Sequence, residues 1–350
     1  MRFILGAAAL VAAIACGAPA YAQDVQKHQF KVVGTWNFLT NWKENELPFW
    51  QKRLPEASKG NLTANVQSLN ELGLKGTELM RLMKLGVFDF VHALPIYIAE
   101  DAVMEGIDIA GVAKTFEDAR KTTDVYGAFL NTRFEKAYGG KILNYYTWPT
   151  QMFYCNFPIK GLADLKGKKV RVQGTSQGDL VEGLGAVGVT IPFGEVVPAL
   201  QRGTVDCGIT GTMPAYKAGW HEVTTHVLTL PVGFSITFTG VSLATWNKLD
   251  APTKALIEKE FKDDTDKWWK VIIDEASEGL ACTTGQGECK SGKPGKLVKV
   301  EPAEVDHKAL DKAMREVVLK RWAKRCGTDA DCIKNWNDTI GKVVNLVAAP

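Results

Sequence analysis

The chain has 350 residues, with 42 lysines and arginines against 39 aspartates and glutamates, a formal net charge of +3. So even a balance argues against nucleic acid as the main partner, and the length suggests about two domains with room for a large core. No low-complexity tract, charge run or fixed-period repeat interrupts it.

Residues 1–22 read as an export signal: Arg2 supplies the positive start, "FILGAAALVAAIAC" the apolar stretch, and "AYA" the small residues a signal peptidase requires, with cleavage near Ala22. An ordinary apolar helix fits Pro19 badly. A lipid anchor on Cys16 is the other alternative, but "AIAC" lacks the usual leucine before the cysteine. No later segment reaches the roughly 18 apolar residues of a membrane span.

After the signal, "HQFKVVGTW" reads as a strand, "NWKENELPFWQKRLPEASKG" as a helix, "NLTANVQS" as a strand, and "KGTELMRLMKLGVFDFVHAL" as a helix and a buried strand ending near His92. This β-α-β-α-β rhythm implies a parallel sheet covered on both faces. Thr115 and Asp118 form a capping-box pattern for a helix that runs to Gly139-Gly140. Residues 141–159 are a long extended run, able to leave one domain and enter another. The α/β rhythm resumes with a strand over Lys169–Val172, a helix, a short strand near Val189–Ile191, the helix "GEVVPALQRG" and the strand "TVDCGIT". A second extended run covers 226–246, so two lobes joined by two crossings are expected. A long helix follows, with Asp250 as its cap, Pro252 in its first turn and a core stripe of Ile257, Phe261, Trp268 and Ile272. Trp268 and Trp269 could stack on a ligand, but such aromatics are more often core. A last helix lies near 302–325.

Six cysteines follow the signal. Cys282 with Cys289 and Cys326 with Cys332 flank short polar loops, which in an exported chain favours local disulfides. Cys155 and Cys207 are buried thiols or a third bridge. The cysteine spacing and five scattered histidines do not suit zinc, and no cofactor or metal is expected.

Three motifs crowd into residues 164–190. Gly183, Gly185 and Gly188 spell a dinucleotide loop, but they fall where a helix should be ending, and Gly188 reads better as a helix C-terminal glycine. Gly174, Ser176 and Gly178 spell a nucleophile elbow after a strand, followed by Asp206, His221, His226 and His307. A secreted serine hydrolase using Ser176 is therefore the alternative reading, although no HGGG-type oxyanion segment precedes the strand. The simpler role for Thr175 or Ser176 is to cap the next helix. Arg171 alternates with Val170 and Val172, on the side of Lys169 and Gln173. An arginine at the C-terminal end of a covered parallel strand lies where α/β folds place ligands, and its donor fork matches a carboxylate.

"LADLKGKKVRVQG" followed by "GAVGVTIPFGEVVPALQRGTVDCGITG" resembles the signature of the periplasmic solute-binding proteins of TRAP transporters, the DctP-type family. The likeness extends to "GVFDFVHA" and the long helix. It implies a two-lobed α/β periplasmic-binding-protein fold with a hinge and a ligand cleft between lobes. Lobe I would comprise 23–148 plus 237–276 and lobe II 149–236 plus 277–350, with a long helix near 252–280 spanning both. It also implies a periplasmic location, cleft closure on a small organic acid, delivery to the membrane permease subunits, and no enzymatic activity. Arg171 matches the family's carboxylate-binding arginine, Thr210 falls where many members carry an asparagine, and Gln151 where some carry a second arginine. With one guanidinium assigned, a monocarboxylate is expected, with aromatic and hydroxylated acids as candidates. Trp36, Phe38, His92, Trp148 and Phe234 are the expected flat walls of the pocket.

Overall fold

The structure, a computed structural model, describes residues 25–98 and 100–350. The expected export signal lies outside the described residues. Among the described residues, eleven strands form two sheets: β1 (His28–Gly34), β2 (Leu62–Ser68), β3 (Phe90–Ala93), β4 (Gly140–Thr147), β5 (Gln151–Cys155), β6 (Lys169–Val172), β7 (Val187–Thr190), β8 (Cys207–Gly211), β9 (His226–Leu228), β10 (Ile236–Ser242) and β11 (Val298–Val300). The first sheet runs β2-β1-β3-β10-β4 and the second β11-β9-β5-β8-β6-β7. Each is the centre of one lobe.

The sheets are mixed rather than wholly parallel. β10 runs antiparallel to β3 and β4, and β5 antiparallel to β8 and β9. The reason is the pair of extended runs. Each carries the chain from one lobe to the other without a helical crossover, so the strands on either side of a crossing enter their sheets reversed. The crossings pair with each other: Trp148 N–H donates to Ser235 O at 3.0 Å, Gln151 N–H to Gly233 O at 3.0 Å, and Val232 N–H to Gln151 O at 3.0 Å. That ladder is the hinge.

The helix Phe116–Tyr138 has the expected capping box of Thr115 and Asp118 and ends at Gly139, whose φ of 64° only glycine adopts easily. The long helix Ala251–Thr284 starts on Asp250, whose carboxylate accepts from Thr253 N–H at 2.8 Å. Ile257, Phe261, Trp268 and Ile272 are all buried, and Trp268 packs on Phe49 and Tyr146 as core. Trp269 donates its indole N–H to Tyr145 O. Near its end, Gly279 lies so close to the helix Thr212–Lys217 that a Cβ would sit 2.2 Å from Met213 N. The helix is therefore packed on both lobes. Lobe II was expected to take the whole of 277–350. Instead the segment beyond Cys326 packs on Phe116–Tyr138 of lobe I, and the indole N–H of Trp336 donates to Gly106 O of the same lobe; just before it, Trp322 donates to Ala102 O.

All six described cysteines are paired, as Cys155–Cys207, Cys282–Cys289 and Cys326–Cys332. The first bridge staples β5 to β8 at directly opposed positions. No described helix is long and apolar enough to cross a membrane.

His92 is wholly buried in the lobe I core, away from the cleft, which corrects its expected place in the pocket wall. Trp50 can only donate, and its indole N–H reaches His92 Nε2 at 2.8 Å. His92 Nδ1 therefore carries the proton and donates to the Tyr146 oxygen at 2.9 Å, while Tyr146 O–H donates to Glu46 Oε1 at 2.8 Å. Burial holds His92 neutral, down at about 3, and pushes the Glu46 carboxyl up to about 7 against the bonds from Thr35 and Tyr146. Below the usual 4.5, Glu46 is protonated folded or unfolded; between 4.5 and about 7 only the unfolded chain ionises, so stability falls as pH rises and the loss is complete above 7. At about 1.4 kcal/mol per unit the loss is roughly 3 kcal/mol. Glu46→Gln should flatten the decline in melting temperature between pH 5 and pH 8. Parallel wild-type and variant curves would contradict this account.

Candidate functional site

Arg171 lies at the C-terminal end of β6, which is flanked by β7 and β8. Helices cover the sheet, so the side chain is 0 % exposed. Its Nε donates to Ile191 O at 2.9 Å and its Nη1 to Ile209 O at 2.9 Å. The arginine is therefore held in place by two backbone carbonyls. Neither neutralises it. Nη2 is buried with no hydrogen-bond partner among the described residues, and no described carboxylate forms an ion pair with the guanidinium. Phe193 and Trp220 lie against it, 6.0 and 5.8 Å from Cζ to the ring centroids. Burial pulls the guanidinium pKa down to about 10.

Between the lobes beside Arg171 is a narrow cavity of about 20 Å³, little more than one water requires. Trp36, Trp148 and Phe193 supply flat walls, Gln151, Gln173, Thr210 and Ser235 polar ones. Gln173 Oε1 accepts from Gln151 Nε2 at 3.1 Å and from Ser235 Oγ at 2.6 Å, and Gln177 Nε2 donates to Gln151 Oε1. Trp148 and Gln151 sit on the first crossing and Ser235 on the second, so whatever fills the cavity touches the hinge directly. A wider mouth of about 510 Å³ lies outside, lined by Trp36, Phe38 and Phe193. Lys75 of lobe I and Glu195 of lobe II bridge it at 2.7 Å. Also at the mouth, Lys217 of lobe II donates to Thr40 Oγ1 of lobe I at 2.6 Å, and Thr40 donates to Glu275 of the long helix.

Of the expected residues, Gln151, Thr210, Trp36 and Trp148 line this cavity; Arg171 stands behind the lining, against Phe193 and bonded to the carbonyl that precedes Thr210, and Phe38 stands at the mouth, stacked 6.4 Å from Phe193. Phe234 does not; it packs on Phe116 at 4.8 Å. Gln173, Phe193 and Ser235 were missed. Gln173 carried a signal, since it alternates onto the face of Arg171; Phe193 and Ser235 lie in a turn and a crossing, where no periodicity points a side chain.

The competing motifs dissolve. Ser176 is buried, its Oγ accepting weakly from Ala110 N at 3.4 Å, with none of the histidines bonded to it. Nor does it or Thr175 cap the helix Thr175–Gly183, whose N-cap is Gly174 with no side-chain bond. Of the glycines of the supposed dinucleotide loop, Gly183 is the last residue of that helix and the other two follow it. Gly185, at φ 82°, makes the turn, while Gly188 is already in β7 and not the helix stop expected of it.

Residues 33–325 match the DctP family, described as bacterial extracellular solute-binding protein, family 7. The chain belongs to this family. As a DctP-type protein it is a non-catalytic carrier of a TRAP system, and the periplasm is its location. Solved structures share its fold. An extracytoplasmic solute receptor of Bordetella pertussis that binds pyroglutamic acid has a TM-score of 0.80 at 20% identity, over 89% of this chain and 99% of that one. A TRAP periplasmic solute-binding protein of Desulfovibrio salexigens with bound orotic acid has a TM-score of 0.81 at 17% identity, over 91% and 100%. An uncharacterized protein of Haemophilus influenzae is 27% identical over 145 residues, 41% of this chain; the match spans 44% of that protein's length.

Proposed function

We propose that this DctP-type protein captures a small ring-shaped monocarboxylate by closing its cleft and hands it to the membrane permease of a TRAP transporter. The observation that carries this reading is Arg171, a buried cation that the described residues leave without an anion. A buried charge without a counter-charge is costly, and a ligand carboxylate removes that cost only where the lobes exclude water. Closure then follows from the ligand's better contacts with the closed state. Trp36 and Trp148 would cover the faces of a ring, with Phe38 shielding the mouth. Gln151 and Thr210 would meet its polar edge. Pyroglutamic and orotic acids, bound by the two structural relatives, combine a ring amide with one carboxylate, a chemistry that suits a wall built of glutamine amides. The export signal is cut near Ala22. The lobes divide at 148/149 and 236/237, with the segment beyond Cys326 added to lobe I.

The test is a thermal-shift panel of pyroglutamate, orotate, benzoate, 2-oxo acids and succinate. A ligand at 100 times its Kd stabilises by about 2.7 kcal/mol, so a clear rise in melting temperature is expected for a cyclic monocarboxylate. Stabilisation by succinate alone, or by none of the panel, would refute the reading.

A further inference from the structure

Opposite Arg171, lobe I presents the short turn Pro95–Tyr97 just after β3. Tyr97 was not among the residues the sequence pointed to. Its hydroxyl is buried and has no hydrogen-bond partner among the described residues, as Arg171 Nη2 has none in lobe II. Burial pushes the Tyr97 phenol up to about 12 and so keeps it a neutral O–H donor, while the nearby Arg171 guanidinium pulls weakly the other way. Packing shows how they come to face each other. Ile96 meets Gly174, two residues past the end of the Arg171 strand, so closely that a Cβ on Gly174 would lie 2.4 Å from Ile96 Cγ1. The Tyr97 ring lies edge-on to Trp36 at 6.4 Å, and Trp36 is 5.2 Å from Phe193, which in turn flanks Arg171. Gly76 backs the ring from behind, where a Cβ would come within 2.6 Å of it. The phenol is thus fixed, not free to swing to solvent.

Two buried donors lacking acceptors on facing lobes are unfavourable unless a shared acceptor joins them. A carboxylate is such an acceptor: it offers about four lone-pair sites and no donor of its own. We infer that Tyr97 and Arg171 form a two-lobed carboxylate seat, in which one carboxylate group takes the phenolic O–H from lobe I and the guanidinium N–H from lobe II. The seat rests on the proposed function and extends it, because it makes the carboxylate itself the bolt between the lobes. Arg171 supplies charge, and Tyr97 supplies the donor that exists in position only when the lobes have met. The seat selects a carboxylate over the corresponding amide or ester at both ends.

The probe is whichever monocarboxylate of the thermal-shift panel stabilises the wild-type protein most, titrated by calorimetry. Tyr97→Phe removes one oxygen and leaves the ring packing, so the ligand-free melting temperature should hold while affinity falls about 10- to 100-fold. In an Arg171→Gln background the same change should cost distinctly less, because the shared acceptor is already poorly held. In the wild-type protein labelled at tyrosine Cζ, the one resonance missing from Tyr97→Phe should move on ligand addition. Affinity in Tyr97→Phe within twofold of wild type, with Arg171→Gln strongly weakened, would overturn the seat and leave the proposed function standing. Unweakened binding in both variants, or no monocarboxylate bound by the wild type, would overturn both.

Discussion

Arg171→Lys is expected to weaken ligand binding by about 100- to 1000-fold, the largest effect of any single change in this protein. Each hydrogen bond to a charged group contributes about 1.5–3 kcal/mol, and the planar fork serves several at once. Two of its donors are committed to Ile191 O and Ile209 O, which fixes the direction of the remaining edge. An ammonium on a flexible stem cannot satisfy both carbonyls and also face the cleft. Burial adds a second loss. It already pulls the guanidinium down to about 10, and a lysine starting from a lower value would tend to shed its proton at the same site. Calorimetry with the best-bound monocarboxylate measures the effect, and circular dichroism checks that the fold is retained. Equal affinity in wild type and variant would remove Arg171 from the site.

Gly174→Ala should cost roughly tenfold or more in affinity, a loss that comes from closure rather than from contact with ligand. The backbone at Gly174 is extended, with φ −161°, so any residue could adopt it. Space is what forbids the substitution. A methyl there would sit 2.4 Å from Ile96 Cγ1 and 2.9 Å from the Ile96 carbonyl oxygen. Ile96 belongs to the other lobe, so the clash is relieved when the cleft opens and each lobe keeps its own core. The variant should therefore fold, yet show little of the compaction on ligand addition that small-angle scattering detects in the wild type. Full compaction and wild-type affinity in the variant would show that the lobes need not approach this closely.

The parts of the site that periodicity could reach were legible. β6 alternates, so Arg171 and Gln173 share a face, and the caps at Thr115 and Asp250 sit where their side-chain chemistry requires. What escaped was set by tertiary contact. His92 reads as a polar residue at a strand end, and nothing local reveals that Trp50 and Tyr146 satisfy both its nitrogens in the core. Tyr97 follows a proline in a short turn, and its meaning depends on a strand about seventy residues away. Gly174 was read as part of a serine motif, when its smallness serves the approach of another lobe. Phe234 was assigned by nearness to a crossing, but its partner Phe116 comes from the helix start beyond it. Likewise, the reversal of strands at the hinge follows from the crossings, which the sequence showed, but not from the α/β rhythm on either side of them.

The position of β10 between β3 and β4 has a consequence for biogenesis. The N-terminal sheet cannot be completed until residue 242 has emerged, because two of its strands await an insert supplied by a later part of the chain. Pairings so distant in sequence form slowly. During passage through a secretion channel, amino end first, roughly the leading half of the polypeptide would hold an unfinished sheet with open edges. Such a layout delays premature compaction and keeps the polypeptide threadable, at the risk of intermolecular strand pairing if translocation stalls.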